Sequence, residues 1–368
     1  MALQHLVSPV DGSTIASREL ATPSQIEAVL QRAADSQKIW RTTPIAERAA
    51  VIERMVQMME RDALEIATEL TWQMGRPVRY TPNEILRGFQ ERARYMSSIA
   101  ASNLNDIATP QVDGFTKWIR REPLGTVLVV APWNYPYLTA VNSIVPALLA
   151  GNTVVLKHAS QTLLCAERLQ AAFDAAGLPA GIFQHVHASH SSVDLMIKDS
   201  RINFVVFTGS VEGGTSMERS ATGRFIGIAT ELGGKDPSYV RADANINYAI
   251  GENVDGAFFN SGQSCCAIER IYVHEHVYDN FLEGFVDATR AYVLGNPLQN
   301  DTTIGPMVNT QAADFVRNQI ANALAAGARA LVTERDFAAS QPATPYLGPT
   351  VLVDVNHTMS VMRDESFG

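Results

Sequence analysis

Cysteine is scarce: the 368 residues include three, and two of those, Cys265 and Cys266, are adjacent. Three cysteines cannot build a disulfide framework, and their spacing lacks the paired pattern of a zinc site, so no metal is expected. A reactive thiol is what this scarcity leaves open. Blocks rich in lysine and arginine are missing as well. With a formal net charge of -9, nucleic acid and anionic membrane surfaces are poor candidates for the main partner. No apolar run is long enough to span a bilayer. The stretch after Val141 is interrupted by Pro146 and closed by Gly151, and residues 1–14 lack a basic flank with a long apolar core. There is no internal repeat and no low-complexity segment. What is present is a chain with 46% hydrophobic residues, enough for two domains of ordinary size, directed at small molecules and expected in the cytoplasm.

Thr22-Pro23 predicts a helix start with Gln25 three positions after the cap, and Ile26, Val29, Leu30 and Ala33 then share a face. Thr43-Pro44 opens a second helix, and a third helix-like stretch runs from Pro82 to Arg94. From Asp113 the character changes. Residues 115–120 alternate as a half-buried, projecting strand. Apolar runs then follow at Thr126 to Val130, Thr153 to Leu156, Phe183 to Val186, Phe204 to Phe207 and Phe225 to Ala229. Continuous apolar runs separated by helices such as Leu163 to Ala176 imply parallel strands covered on both faces, the doubly wound arrangement. After Glu231 a second block alternates helix (Ile246 to Phe259, Tyr278 to Leu294) and strand (Ile271 to Val273).

Several positions carry candidate chemistry. The turn at Gly209-Ser210 after an apolar strand offers backbone N–H groups and a helix start to a phosphate, although such a turn is often only a turn. Lys157 ends a strand where α/β sheets bind ligands, and a solvated strand-end lysine would look the same. Gly262 provides a bend that presents the following thiol, whereas Cys165, inside a helix, reads as an inert core residue. Glu231 sits between an apolar strand and Gly233-Gly234, an awkward place for a charge unless it is used or paired. Asn134, just beyond a strand, can donate to a developing oxyanion or serve the turn beside Pro136.

In one order the chain carries Pro132-Trp-Asn-Tyr-Pro136, Leu156-Lys157, Phe207-Thr-Gly-Ser210, Glu231-Leu-Gly-Gly-Lys235, Gly262-Gln-Ser-Cys265 and Glu365-Ser-Phe-Gly368. With these it resembles the NAD(P)-dependent aldehyde dehydrogenase superfamily over essentially its full length, and Glu231 and Cys265 stand 34 residues apart, the family's usual separation. Lys157-His-Ala and Met196-Ile-Lys-Asp-Ser200 resemble bacterial succinate-semialdehyde dehydrogenases. The resemblance implies an α/β, aldehyde dehydrogenase-like fold: a doubly wound parallel-sheet cofactor domain (1–104 and 124–233), a projecting oligomerisation segment (105–123) and an α/β catalytic domain (234–368). Gly368 falls inside the family's Glu-x-Phe-Gly-Pro motif, so the C-terminal end of the family fold is expected to be absent and the catalytic domain incomplete. A homodimer or homotetramer is expected.

By the same resemblance Cys265 is the nucleophile, Asn134 an oxyanion donor and Glu231 the base that activates water. Trp133, Lys157, Ser160, Gly209, Ser210, Glu365 and Phe367 would contact NAD or NADP. Tyr135, Leu138, Asn142, Phe258, Phe259, Ser264 and Cys266 would line the aldehyde tunnel. Where the family often has Glu, this chain has Ser160; a hydroxyl tolerates the 2'-phosphate that a carboxylate repels, so NADP is expected to be usable. Ala188 replaces a frequent Gly in the loop after the third strand. Succinate-semialdehyde enzymes often carry an arginine just before the Asn matching Asn260, and here Phe259 stands there. An unpaired substrate carboxylate in an apolar pocket is costly, so neutral aliphatic or aromatic aldehydes are expected, with succinate semialdehyde the alternative. Two readings of other classes are a thiol hydrolase or acyltransferase, told apart by whether an aldehyde yields reduced nicotinamide, and a non-catalytic truncated homologue.

Overall fold

Backbone donors at chain turns decide where the first elements start. Thr22 and Gln25 cap each other (Gln25 N–H to Thr22 Oγ1 3.3 Å, Thr22 N–H to Gln25 Oε1 2.8 Å), Pro23 takes the first helical position, and the helix Pro23–Trp40 follows. Ile26, Leu30 and Ala33 fall on its buried face. Helix Ile45–Arg61 begins after Pro44, and the stretch after Pro82 becomes a π-helical segment, Glu84–Phe89, continued by the α-helix Gln90–Leu104. The computed structural model describes residues 2–110 and 112–368. Met1 and Gln111, which fall within the expected cofactor and oligomerisation segments, lie outside the described residues.

Two compact units divide the chain: Met1–Leu6, Ala16–Ile66 and Pro82–Glu231 form the first, and Val7–Ile15, Ala67–Thr81 and Leu232–Gly368 the second. At the centre of the first unit lies a parallel five-stranded sheet. Its spatial order is Phe183–His185, Thr153–His158, Thr126–Ala131, Ile202–Thr208, Gly227–Glu231. The chain enters at the middle strand, winds to one edge, then crosses to the other side, so the order reverses between Thr126–Ala131 and Ile202–Thr208. Every residue of the strands Thr126–Ala131 and Thr153–His158 is buried, which is why they read as unbroken apolar runs rather than as alternation.

The last strand begins later than its apolar run suggests. Phe225 is fully exposed with φ 53°, because Arg224 turns the chain by donating to the carbonyls of Ile197 (2.5 Å) and Ile202 (3.0 Å). Pairing therefore starts at Gly227. Among the described residues the projecting strand is also shorter than its pattern and exposed rather than half-buried: Trp118–Ile119 pairs antiparallel with Ile107–Ala108, and Phe115 makes a single bridge to Val112.

In the second unit, Asp236–Val240 pairs parallel with Ile268–Val273 through the crossover helix Ile246–Phe258. Arg329–Val332 pairs antiparallel with Val351–Val353. Val254, Phe281, Phe285, Leu294, Val332 and Val351 form its apolar centre. No helix among the described residues is long and apolar enough to cross a membrane.

Candidate active site

In the first unit, the sequence-predicted cofactor residues gather at the carboxyl ends of the sheet strands, where open α/β sheets bind ligands. Val130 is the register partner of both Lys157 and Phe207. The loop 132–136, the end of the Lys157 strand and the Thr208-Gly209-Ser210 turn therefore leave the sheet side by side at the point where strand order reverses. Ser210 caps helix Val211–Ser220 by accepting from Gly213 N–H at 3.1 Å. A Cβ at Gly209 would come within 2.7 Å of the Phe207 ring, so a side chain there would force that ring to move. Gly209 N–H donates to the Glu231 carbonyl at 3.0 Å, which joins the phosphate-type turn to the exposed end of the last strand, where Glu231 lies.

Lys157 is 8% exposed, and burial lowers its ammonium pKa with no carboxylate contributing. Ser160, exposed, opens the short turn just beyond it. A desolvated ammonium, two hydroxyls and a helix start form a donor set, with the exposed Glu212 in the first turn of that helix the acidic side chain beside it. That chemistry fits the ribose and pyrophosphate of a dinucleotide.

Asn134 is 4% exposed, Trp133 and Tyr135 are half-buried, and Asn142 is exposed. Two residues that sequence reasoning missed fix their loop. Glu84 accepts from the N–H groups of Tyr137 (2.8 Å) and Leu138 (3.1 Å), capping helix Pro136–Leu149 with a buried carboxylate. His158 bonds the Pro136 carbonyl at 3.2 Å and Thr162 Oγ1 at 3.1 Å, and burial pushes its pKa down to about 4, so it holds the loop as a neutral ring. The Leu138 side chain packs against Gly88, where a Cβ would meet its Cδ1 at 2.6 Å.

The second unit carries the thiols. Ala267 N–H donates to the Ser264 carbonyl at 3.2 Å, so Cys265 and Cys266 occupy the two central positions of a β-turn, and both are exposed. The loop leading into it is strained: Asn260 (φ 56°, ψ 32°) and Ser261 (φ 58°, ψ 33°) are left-handed. Such conformations persist only where the surroundings over-determine them. Here Asn260 accepts from Arg76 Nε (3.0 Å) and donates to the Gln263 carbonyl (3.2 Å). Ser261 Oγ donates to the Gly305 carbonyl (2.9 Å), and Gln263 Oε1 accepts from Val308 N–H (2.8 Å). Gly262 has φ 72°, and a Cβ there would lie 2.7 Å from the Gly368 carbonyl carbon.

The remaining expected residues of this unit separate. Ser264 Oγ meets Cys266 Sγ at 3.3 Å. Phe259 packs edge-on to Tyr80 (5.5 Å between ring centres), and Arg79 lies over the Tyr80 ring at 5.2 Å. Phe258 turns into the apolar centre, between Phe285 (6.1 Å) and Tyr292 (5.8 Å). Glu365 accepts from Gly234 N–H at 3.2 Å, and burial raises its carboxyl pKa. Phe367, with φ 51°, follows it.

The aldehyde dehydrogenase family model matches residues 2–368. The succinate semialdehyde dehydrogenase [NAD(P)+] Sad of Escherichia coli is 33% identical over 98% of this chain and 77% of its own length. A succinate-semialdehyde dehydrogenase [NADP(+)] 1 of Mycobacterium bovis is 33% identical over 98% of this chain and 79% of its own. Among solved structures, succinic semialdehyde dehydrogenase from Streptococcus pyogenes in complex with NADP+ superposes with a TM-score of 0.93 at 26% identity, covering 99% of this chain and 79% of that one. The chain belongs to the aldehyde dehydrogenase family, whose members are NAD(P)-dependent oxidoreductases.

Proposed function

We propose that this protein oxidises an aldehyde to a carboxylic acid, using NAD or NADP and Cys265 as nucleophile. The observation that carries the reading is the exposed Cys265 on a turn fixed by a strained, densely hydrogen-bonded loop. Such a placement suits a nucleophile that must reach a substrate without moving. The first unit is the dinucleotide-binding half. Trp133, Lys157, Ser160, Gly209 and Ser210 from it, with Glu365 and Phe367 from the catalytic half, would hold the cofactor; when bound, the nicotinamide supplies the hydride acceptor. The Cys265 thiolate forms a C–S bond to the carbonyl carbon, and the Asn134 amide and the Cys265 N–H donate to the resulting oxyanion. Loss of hydride from that carbon leaves a thioester. Glu231 takes a proton from water, the water oxygen attacks the thioester carbonyl, and the C–S bond breaks to return the thiolate and release the acid.

The Phe259–Tyr80 aromatic pair supports a neutral aliphatic or aromatic aldehyde as substrate. A second reading, succinate semialdehyde, is supported by Arg79, a cation over the Tyr80 ring of that pair, and by the similarity to succinate-semialdehyde dehydrogenases. The test is kcat/KM, followed as reduced nicotinamide, for hexanal and benzaldehyde against succinate semialdehyde. At least about a tenfold preference for the neutral aldehydes is expected. A preference for succinate semialdehyde that Arg79→Ala abolishes would establish the second reading instead.

NADP is expected to serve as cofactor. Ser160→Glu should lower the NADP/NAD ratio of kcat/KM by about tenfold or more, because a carboxylate beside the adenosine ribose repels a 2'-phosphate. An unchanged ratio would mean that the residue does not face the ribose. Phe115, 69% exposed, and the exposed pair Trp118 and Ile119 at the projecting hairpin support a homodimer or homotetramer. Three unbridged cysteines, one of them the nucleophile, suit the reducing cytoplasm.

A further inference from the structure

The second unit buries an ion pair for which the reaction above has no use. Lys235 closes the 231–235 motif, and Glu269 lies four positions after Cys265, in strand Ile268–Val273. Their charged atoms meet at 2.6 Å, with side chains 8% and 6% exposed. A pair so deeply buried has lost the hydration of both ions, and it is tolerated only where further donors and acceptors complete it. Among the described residues, the partners of the pair's side chains come from one short segment. Glu269 accepts from the backbone N–H groups of Ser366 (2.9 Å) and Phe367 (2.9 Å), and Lys235 Nζ donates to Ser366 Oγ (3.0 Å).

The surroundings tighten the same grip. Arg270 Nη2 donates to the Lys235 carbonyl at 2.6 Å, and Gln319 Nε2 donates to the Glu365 carbonyl at 3.3 Å. The Glu365 carboxylate lies so close over Gly233 that a Cβ there would collide with it. Phe367 needs such a hold, because its left-handed φ of 51° is a conformation an aromatic residue rarely adopts unaided. The Glu269 carboxylate grips the N–H of that residue.

We infer that the Lys235–Glu269 pair is a positioning device: it fixes the backbone of 366–367 and so sets Glu365 and Phe367 for the dinucleotide, governing cofactor affinity without touching the cofactor. The inference rests on the proposed cofactor roles of Glu365 and Phe367. A structural pair would act on the fold as a whole; a positioning pair acts selectively on cofactor binding.

The experiment uses the double variant Lys235→Met/Glu269→Leu. Exchanging a buried ion pair for apolar side chains of similar volume generally preserves folding, yet it strips the Ser366 and Phe367 N–H groups of their acceptor. By fluorescence titration, the Kd for NADPH and NADH is expected to weaken by about tenfold or more. The rate at which iodoacetamide alkylates Cys265 without cofactor, assigned by peptide mass spectrometry, should stay within about twofold of the parent. Glu269→Gln, which keeps one acceptor oxygen, should weaken binding by an intermediate factor and supplies the test if the double variant folds poorly. Parent-like cofactor affinity in both variants overturns the inference alone. A fall in Cys265 alkylation parallel to the fall in affinity also overturns it, by showing a general loss of structure. If the parent binds neither cofactor, the dehydrogenase reading fails and the inference falls with it.

Discussion

Cys265→Ala is expected to lower aldehyde-dependent formation of reduced nicotinamide by at least roughly four orders of magnitude, while Cys266→Ala and Cys165→Ala keep most of the activity. The three thiols differ in environment. Cys165 is fully buried in helix Leu163–Ala175 and has no access to substrate. Cys265 and Cys266 share the central positions of one exposed turn, so exposure does not choose between them. Sequence context does, since Cys265 completes the Gly262-Gln-Ser-Cys motif. Cys266 instead shares a 3.3 Å contact with Ser264 Oγ, and its replacement by Ala should cost that weak contact and little more. Steady-state rates at saturating cofactor and aldehyde, with folding checked by thermal melting, decide the matter. Equal losses at Cys265 and Cys266 would remove Cys265 from its role as the single nucleophile.

The parallel sheet was legible because burial on both faces leaves a direct mark on composition. Val127 to Val130 and Val154 to Leu156 are continuous apolar runs for that reason, and the helices between them show their period. Reading failed where tertiary contacts override the local pattern. Phe225 is apolar yet stands in solvent, because the side chain of its neighbour Arg224 holds the carbonyl of Ile197 in helix His190–Lys198 and that of Ile202 at the start of a sheet strand. Strand Asp236–Val240 begins Asp-Pro and carries little apolar signal; pairing with Ile268–Val273 makes it a strand.

The site divides along the same line. Asn134, Lys157, Gly209, Glu231 and Cys265 sit in short motifs whose residue order is itself the signal. Their supports come from far along the chain: Glu84 reaches Tyr137 across 53 positions and Arg76 reaches Asn260 across 184. Neither has a periodicity or a motif to announce it. The same holds for Glu269, whose value lies in the N–H groups of Ser366 and Phe367, and for Phe258, which local sequence cannot distinguish from Phe259 although one faces the apolar centre and the other meets Tyr80.

Glu231→Gln should separate the two halves of the reaction. The amide is nearly the same size as the carboxylate, and the backbone contacts at this position, including the 3.0 Å bond from Gly209 N–H to the Glu231 carbonyl, do not involve the side chain. The strand end and the turn beside it are therefore expected to stay in place. What the variant loses is a group that can accept a proton from water. Capture of the aldehyde by Cys265 and departure of the hydride need no such acceptor once the thiolate exists, whereas hydrolysis of the thioester does. Stopped-flow mixing of enzyme, cofactor and aldehyde should show a burst of reduced nicotinamide close to one equivalent per active site, followed by turnover slowed about 10²- to 10⁴-fold. Once a limiting dose of aldehyde has been consumed in the burst, a small nucleophile such as hydroxylamine, which attacks a thioester without a general base, should release the acyl group as a hydroxamate and free the Cys265 thiol. If the burst itself disappears while Cys265 is still alkylated at the parental rate, Glu231 acts before hydride transfer, in capture of the aldehyde. If burst and alkylation fall together, the carboxylate is needed to generate the thiolate, and the base for hydrolysis must be sought among other residues.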